Sequence, residues 1–320
     1  MNRYIVLSVL ILIPLFLWAA QSITLIPVYS VKNYDIEIQK LYSHQPKNSL
    51  ERLNYFSAAF LGKKYEKGAL GEGSEAPFDQ NPMYRTDSFD CMTYVNTVLA
   101  LLHADNLTEF QQKMREINYQ NGQVLYQNRY HFTSIDWNPN NEEKGFIRDI
   151  TDTIHDQNNQ PVAKIIGVYI NKKEWYRKKT LVDIKLLSPI TPEEARSRLE
   201  AFRDLSEEST NQESHIPYIP LNILFNKQGQ PNLFIFDQIP SGSIIEIVHK
   251  DWNLKSYLGT NLDVSHMGFA IKTDKGLVYR EASSVENKVI DVSLIAYLFQ
   301  YVNTSEIAGI NVQQVLFKAS

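Results

Sequence analysis

The sequence predicts an α+β fold, on three observations. Helix-start signals and helical periodicity gather in the first half of the chain, alternating apolar and polar runs gather after residue 240, and no internal repeat or low-complexity linker separates them. With 43% hydrophobic and 21% charged residues among 320, the chain can build a sizeable core and is not disordered in composition. One elaborated domain over residues 23–320 is therefore expected. A net charge of −4 gives no general pull toward nucleic acid or acidic membranes.

The chain opens as an export signal does. Arg3 supplies a short basic region, residues 5–20 are almost wholly apolar, and the small residues Ala19, Ala20 and Ser22 follow. The apolar run is broken by Pro14 and is shorter than the ~20 residues that span a bilayer. Residues 1–22 are read as a signal peptide or an N-terminal anchor. Trp18 spoils the tidiest small-x-small cleavage site, so both fates stay open. With no cysteine near that site, a lipoprotein is excluded. The expected location is the periplasm or cell envelope.

A first helix is expected over residues 49–61. Asn48 and Glu51 make a capping-box pair, Leu50, Leu53, Phe56 and Phe60 form its apolar face, and Gly62 closes it. A polar loop, 62–82, leads to the single cysteine of the chain. Cys91 follows Asp90, a good N-cap (Ser88 is the alternative), and Val95, Val98, Leu99 and Leu102 continue as one apolar helical stripe. In the first turn the thiol meets free backbone N–H groups and the positive end of the helix dipole, which favour thiolate. A lone cysteine is more often a small buried hydrophobe. An exported chain with no partner for a disulfide shifts the balance toward a working thiol.

Another helix is expected over 108–117, opening a long middle region at about 107–240. Strands are expected at 162–170 and 181–187. Lys172, Lys173, Arg177, Lys178 and Lys179 around Trp175 suggest a solvated hairpin tip between them. A further helix starts where Thr191 caps, Pro192 takes N1 and Glu194 takes N3; Pro217 and Pro220 then mark extended chain. Strands at 243–249, 266–272 and 276–281, a turn at Asp274-Lys275-Gly276, a helix near 292–301 and a strand at 312–318 complete the pattern.

A cysteine nucleophile needs a base, and the base needs a group to orient it. Among seven histidines, His44, His155 and His215 lie in polar or proline-bounded sequence and are read as solvent-facing. His103 is read as the cap of the Cys91 helix, and His249, near Asp251, as part of a surface pair. His131 and His266 remain. Across the 274–275 turn, His266 and Glu281 become near neighbours, close enough for a carboxylate to hold the imidazole. An ordinary exposed ion pair is the plainer alternative.

Asp90-Cys91-Met92-Thr93, Ser265-His266-Met267-Gly268-Phe269 and Ala282-Ser283, in that order, resemble the NlpC/P60 superfamily of papain-like cysteine hydrolases. Gly62-x-x-Tyr65 and Arg129-x-His131-Phe132 followed by Asp136-Trp137 are similar to the branch called DUF1460, the N-acetylmuramoyl-L-alanine amidase-like proteins. The resemblance runs from about residue 50 to the C-terminus. It implies a nucleophile-bearing helix packed on an antiparallel sheet, with Cys91 as nucleophile, His266 as general base and Glu281 in a third position commonly held by histidine. Tyr65 would line the cleft and assist the oxyanion. The inserted middle region would shape the cleft, with Arg129, His131, Asp136 and Trp137 as candidate substrate contacts; for Trp137, as for Tyr130, a place in the core is the plainer alternative to stacking on a sugar. The substrate implied is peptidoglycan or a muropeptide, cut at N-acetylmuramoyl-L-alanine. The alternatives are a γ-D-glutamyl-diamino-acid endopeptidase and a non-catalytic wall-binding protein of the same fold. No cofactor and no metal are expected, since no zinc-ligand spacing occurs.

Overall fold

The computed structural model describes residues 34–304 and 306–317; the signal peptide or anchor expected at 1–22 lies outside them. Four helices come early: α1 (Tyr34–Ser43), α2 (Ser49–Ala58), α3 (Cys91–Leu102) and α4 (Leu107–Asn118). Between them lie two short strands, β1 (Lys64–Tyr65) and β2 (Ser88–Phe89). The remaining strands are β3 (Ile147–Asp149), β4 (Lys164–Ile170), β5 (Gln212–Pro220), β6 (Ser243–Asn253), β7 (Asn261–Thr273), β8 (Gly276–Ser283), β9 (Lys288–Ser293) and β10 (Ile307–Val315). They form one mixed sheet in the order β2-β1-β9-β8-β7-β6-β10-β5-β4, with β3 also on β10. Among these strands, only the β1–β2 pair is parallel. The α+β class holds.

The cysteine helix starts where its cap dictates. Asp90 Oδ1 accepts the Thr93 N–H at 2.8 Å while Thr93 Oγ1 accepts the Asp90 N–H at 2.9 Å, a reciprocal capping box. The expected single apolar stripe is exceeded. Every residue from Thr93 to Leu102 is buried, because α2, α4 and the sheet all close on α3. Tyr94 stands at the centre, edge-on to Phe60, Phe89 and Phe269, its hydroxyl donating to Ser57 O at 3.0 Å. A second core fills the other sheet face with Ile245, Ala270, Tyr279, Leu298 and Val312. Adjacent residues Ile244 and Ile245, or Phe269 and Ala270, thus enter different cores.

Several expectations need correction. The first predicted helix ends at Ala58, and α1 precedes it unannounced. Residues 181–187 make no strand: Leu181–Asp183 is one tight turn, and only the bridge Asp79↔Lys185 follows. Val182 is 87% exposed there, so no partner strand covers the run. The basic cluster is no hairpin tip. Lys172–Arg177 is a helix capped by Asn171, with Trp175 buried beneath it. The helix expected near 292–301 is β9 followed by a shorter helix, Leu294–Phe299, and the last strand starts earlier, at Ile307. His249 is buried, stacked on Trp252 at 4.6 Å with Nε2 2.7 Å from Ser265 Oγ; the Asp251 side chain lies outside what is described. The middle region is built into the core and the sheet: α4 joins the first core, and β3 and β5 pair with β10. Among the described residues, no helix is long and apolar enough to cross a membrane.

Candidate active site

Cys91 is the first residue of α3 and is partly exposed. His266, from β7, stands beside it, close enough for the sulfur to bear on the charge of the imidazole. The other side of the imidazole is held: Nε2 donates to Glu281 Oε2 on β8. With Nε2 on the carboxylate, Nδ1 is left to face the sulfur. The β7–β8 register sets Phe269 opposite Arg280, so His266 and Glu281 meet diagonally rather than directly across. A side chain at Gly268 would prevent this. Its Cβ would lie 2.7 Å from Arg280 O, 2.8 Å from Tyr279 Cε2 and 3.0 Å from Glu281 Cβ.

The pair is not the exposed ion pair of the plainer reading, for Glu281 is 3% exposed. Burial disfavours the imidazolium. The Cys91 sulfur and the Glu281 carboxylate outweigh it and push the His266 pKa up to about 10. On the same strand Arg280 fixes the register. It binds Asp291 through two nitrogens at 2.7 and 2.8 Å and reaches Asn54 Oδ1 and Ser57 Oγ, both at 2.9 Å, on α2. No sequence signal separated Arg280 from an ordinary strand charge.

Tyr65 stands beside this cluster. Its N–H donates to Asn287 O at 3.0 Å, and the next N–H, of Glu66, donates to Phe89 O at 2.9 Å. Burial first, then the charges of Cys91, Asp90 and Glu281, raise its hydroxyl to about 12, so it remains a donor at neutral pH. Asp90 Oδ2 also accepts the Gly68 N–H at 2.9 Å, tying this loop to the helix cap. Two cavities adjoin the cluster. One, of about 530 Å³, is lined by Asp90 and Met92 on either side of the cysteine; the other, of about 590 Å³, by His266, Glu281, Trp252, Tyr297 and Tyr301. Among the described residues, no group of three or more His, Cys, Asp or Glu side chains is placed to hold a metal ion.

Residues 55–305 match the family described as AmiA-like, N-acetylmuramoyl-L-alanine amidase-like. This chain belongs to that family. A DUF1460 protein of Legionella pneumophila str. Philadelphia 1 is 44% identical over 88% of this chain and 94% of its own, with a TM-score of 0.84. An N-acetylmuramoyl-L-alanine amidase from Bacteroides uniformis is 22% identical, covers 83% of this chain and 98% of its own, and superposes with a TM-score of 0.57. A putative xylanase from Bacteroides fragilis is 21% identical over 81% and 99%, with a TM-score of 0.55. The last two show a shared fold. No protein of curated function matches the chain.

In this AmiA-like chain the middle-region candidates fall into different places. Trp137 is 0% exposed and donates to Asn96 Oδ1 at 2.8 Å, so it props α3 from below and walls no cleft. That corrects the expectation of a substrate contact. Arg129 lines the first cavity, yet its guanidinium is occupied by Glu72, Asp79 and, at 3.1 Å, Leu70 O. It is a clamp on the 62–82 loop. His131 Nε2 donates to Tyr126 O (2.9 Å) between the rings of Tyr126 and Trp175, and burial, with Arg129 and Lys179, keeps its pKa well below the usual value. Asp136 pairs with Lys172 beside a separate cavity. Only Arg129 and His131 of these four border the cavity next to the cysteine.

Proposed function

We propose that this protein is an exported cysteine amidase of the NlpC/P60, papain-like plan that cleaves N-acetylmuramoyl-L-alanine in peptidoglycan or its fragments. The observation that carries the reading is His266 held between a partly exposed sulfur at a helix start and a buried carboxylate. The family supplies the amide bond. The aromatic faces of Trp252, Tyr297 and Tyr301 beside His266 suit a sugar ring, as an N-acetylmuramoyl substrate requires.

The reaction follows from these positions. The Cys91 thiolate attacks the lactyl carbonyl, and the negative charge that forms on its oxygen is met by the Cys91 N–H and the Tyr65 hydroxyl. One such donor lowers a barrier by about 3 kcal/mol. The His266 imidazolium gives its proton to the departing nitrogen of L-alanine as the C–N bond breaks, leaving a muramoyl thioester. Neutral His266 then takes a proton from water, whose oxygen displaces the sulfur. Glu281 keeps the ring oriented and its cation stabilised throughout.

Defined muropeptides digested by wild type beside Cys91→Ser, and read by mass spectrometry, test this. The expected products are a peptide-free sugar and an intact stem, only with wild type. Sugar-linked dipeptide fragments would instead mark an endopeptidase, and equal digestion by both proteins would end cysteine catalysis here.

A further inference from the structure

Three lysines converge on the cavity beside Cys91, and the reaction above makes no use of them. Lys67, Lys179 and Lys185 line it, with Arg129 behind. Arg129 is balanced where it stands by Glu72 and Asp79. Lys185 donates to Gly68 O at 2.6 Å, and among the described residues neither it nor Lys67 pairs with a carboxylate. The Lys179 side chain is only 11% exposed, lies 3.5 Å over the Trp175 ring, and has Asp183 at 3.8 Å. Burial first, with Arg129, Lys67 and Lys185 adding to it and Asp183 opposing, lowers its pKa to about 8. The three acids on the same wall are otherwise engaged, Asp79 by Arg129, Asp90 by the helix cap and Gly68, and Asp183 by the Thr180 N–H and hydroxyl. A concave, partly desolvated wall where Lys67 and Lys185 meet no carboxylate is a place for an anion.

The stem peptide offers one at the right reach. Where D-glutamate continues the chain through its γ-carboxyl, its α-carboxylate stays free, one residue beyond the L-alanine nitrogen that leaves. Two residues of extended chain span about 7 Å. That carries the group from the sulfur into a cavity whose rim begins at Asp90 and Met92. Resting on the amidase reading, we infer that the Lys67, Lys179 and Lys185 pocket binds the free α-carboxylate of the D-glutamyl residue, making the enzyme selective for acidic stems over stems amidated at that position.

Two N-acetylmuramoyl-tripeptides that differ only in D-glutamate against D-isoglutamine test this, with wild type, Lys67→Met and Lys179→Met compared. Wild type should favour the acid by about tenfold in kcat/KM, mostly through KM, the scale of one or two charge-assisted bonds. In each variant the acid-to-amide ratio should fall toward one. Lys67 is exposed, so its variant stays informative if Lys179→Met fails to fold. Equal wild-type rates on both compounds, or variants that lose rate on both with the ratio kept, would overturn the assignment. If neither compound is cleaved, the reaction reading fails separately. Calorimetric binding of both to Cys91→Ser then decides the pocket, with tighter binding of the acid supporting it and equal binding removing it.

Discussion

Glu281 can be changed to glutamine with the hydrogen bond to His266 kept and the charge removed. Glu281→Gln should lower kcat by about 10²–10⁴ with little change in KM, the scale seen when the orienting acid of such a triad is replaced. The pH profile gives a sharper reading. The proposed mechanism needs the imidazolium, whose pKa is pushed up to about 10, so activity should hold below that value and fall as pH rises through it. Glu281→Gln removes one cause of the rise and should move the alkaline limb to lower pH. The same shift bears on stability, because the folded pKa lies above the ordinary 6.5. The pair therefore stabilises the fold fully below about 6.5, and that contribution is lost as pH climbs from 6.5 toward 10. Thermal melting of wild type and Cys91→Ala across that window should converge at its alkaline end. At this scale the sequence was most legible: helix-start and hairpin rules set Cys91 at a helix start and His266 beside Glu281, and the family resemblance chose His266 over His131 as the partner of Cys91. Arg280 and the three lysines were not legible. Their roles depend on which distant groups the fold brings against them.

The elements that carry the site are each held by a local device. Asp90 both caps α3 and holds the Gly68 N–H, so Asp90→Ala leaves two donors without their partner. A loss of about 1–2 kcal/mol is expected, read as a lower urea midpoint at unchanged m-value. Gly268→Ala attacks the hairpin instead. A Cβ 2.7 Å from Arg280 O must push β7 and β8 apart, at about 1–3 kcal/mol. Activity should fall further than the folded fraction does, because the same movement parts His266 from Glu281; circular dichroism and initial rates on one preparation separate the two effects. The β7–β8 hairpin could be read in advance because alternation and Asp-Lys-Gly agree, with Gly276 at φ +105° supplying the turn. The 181–187 run misled because β-prone residues make a strand only where a partner edge exists, and here Leu181 and Val182 face solvent.

At the scale of the whole molecule, the middle region and the sheet that bears His266 are one structure. β10 pairs with β3 and β5 on one side and β6 on the other, and Asn311 on β10 donates to Asp149 Oδ2 and, at 3.0 Å, to Pro217 O. Sequence patterning cannot foresee such pairings, because a strand names its face but not its neighbour. The consequence falls on Arg129. It joins the middle region to the 62–82 loop through Glu72 and Asp79, whose side chains are 3% and 4% exposed. Arg129→Met would leave two carboxylates buried without their cation, which costs about 3–5 kcal/mol. If the region were a separate cleft wall, the substitution would change substrate affinity and leave unfolding of the remainder alone. If the sheet and the region unfold together, calorimetry should show one transition in wild type and one, shifted down, in Arg129→Met. A second, unshifted transition in the variant would show that the middle region folds independently of the sheet bearing His266.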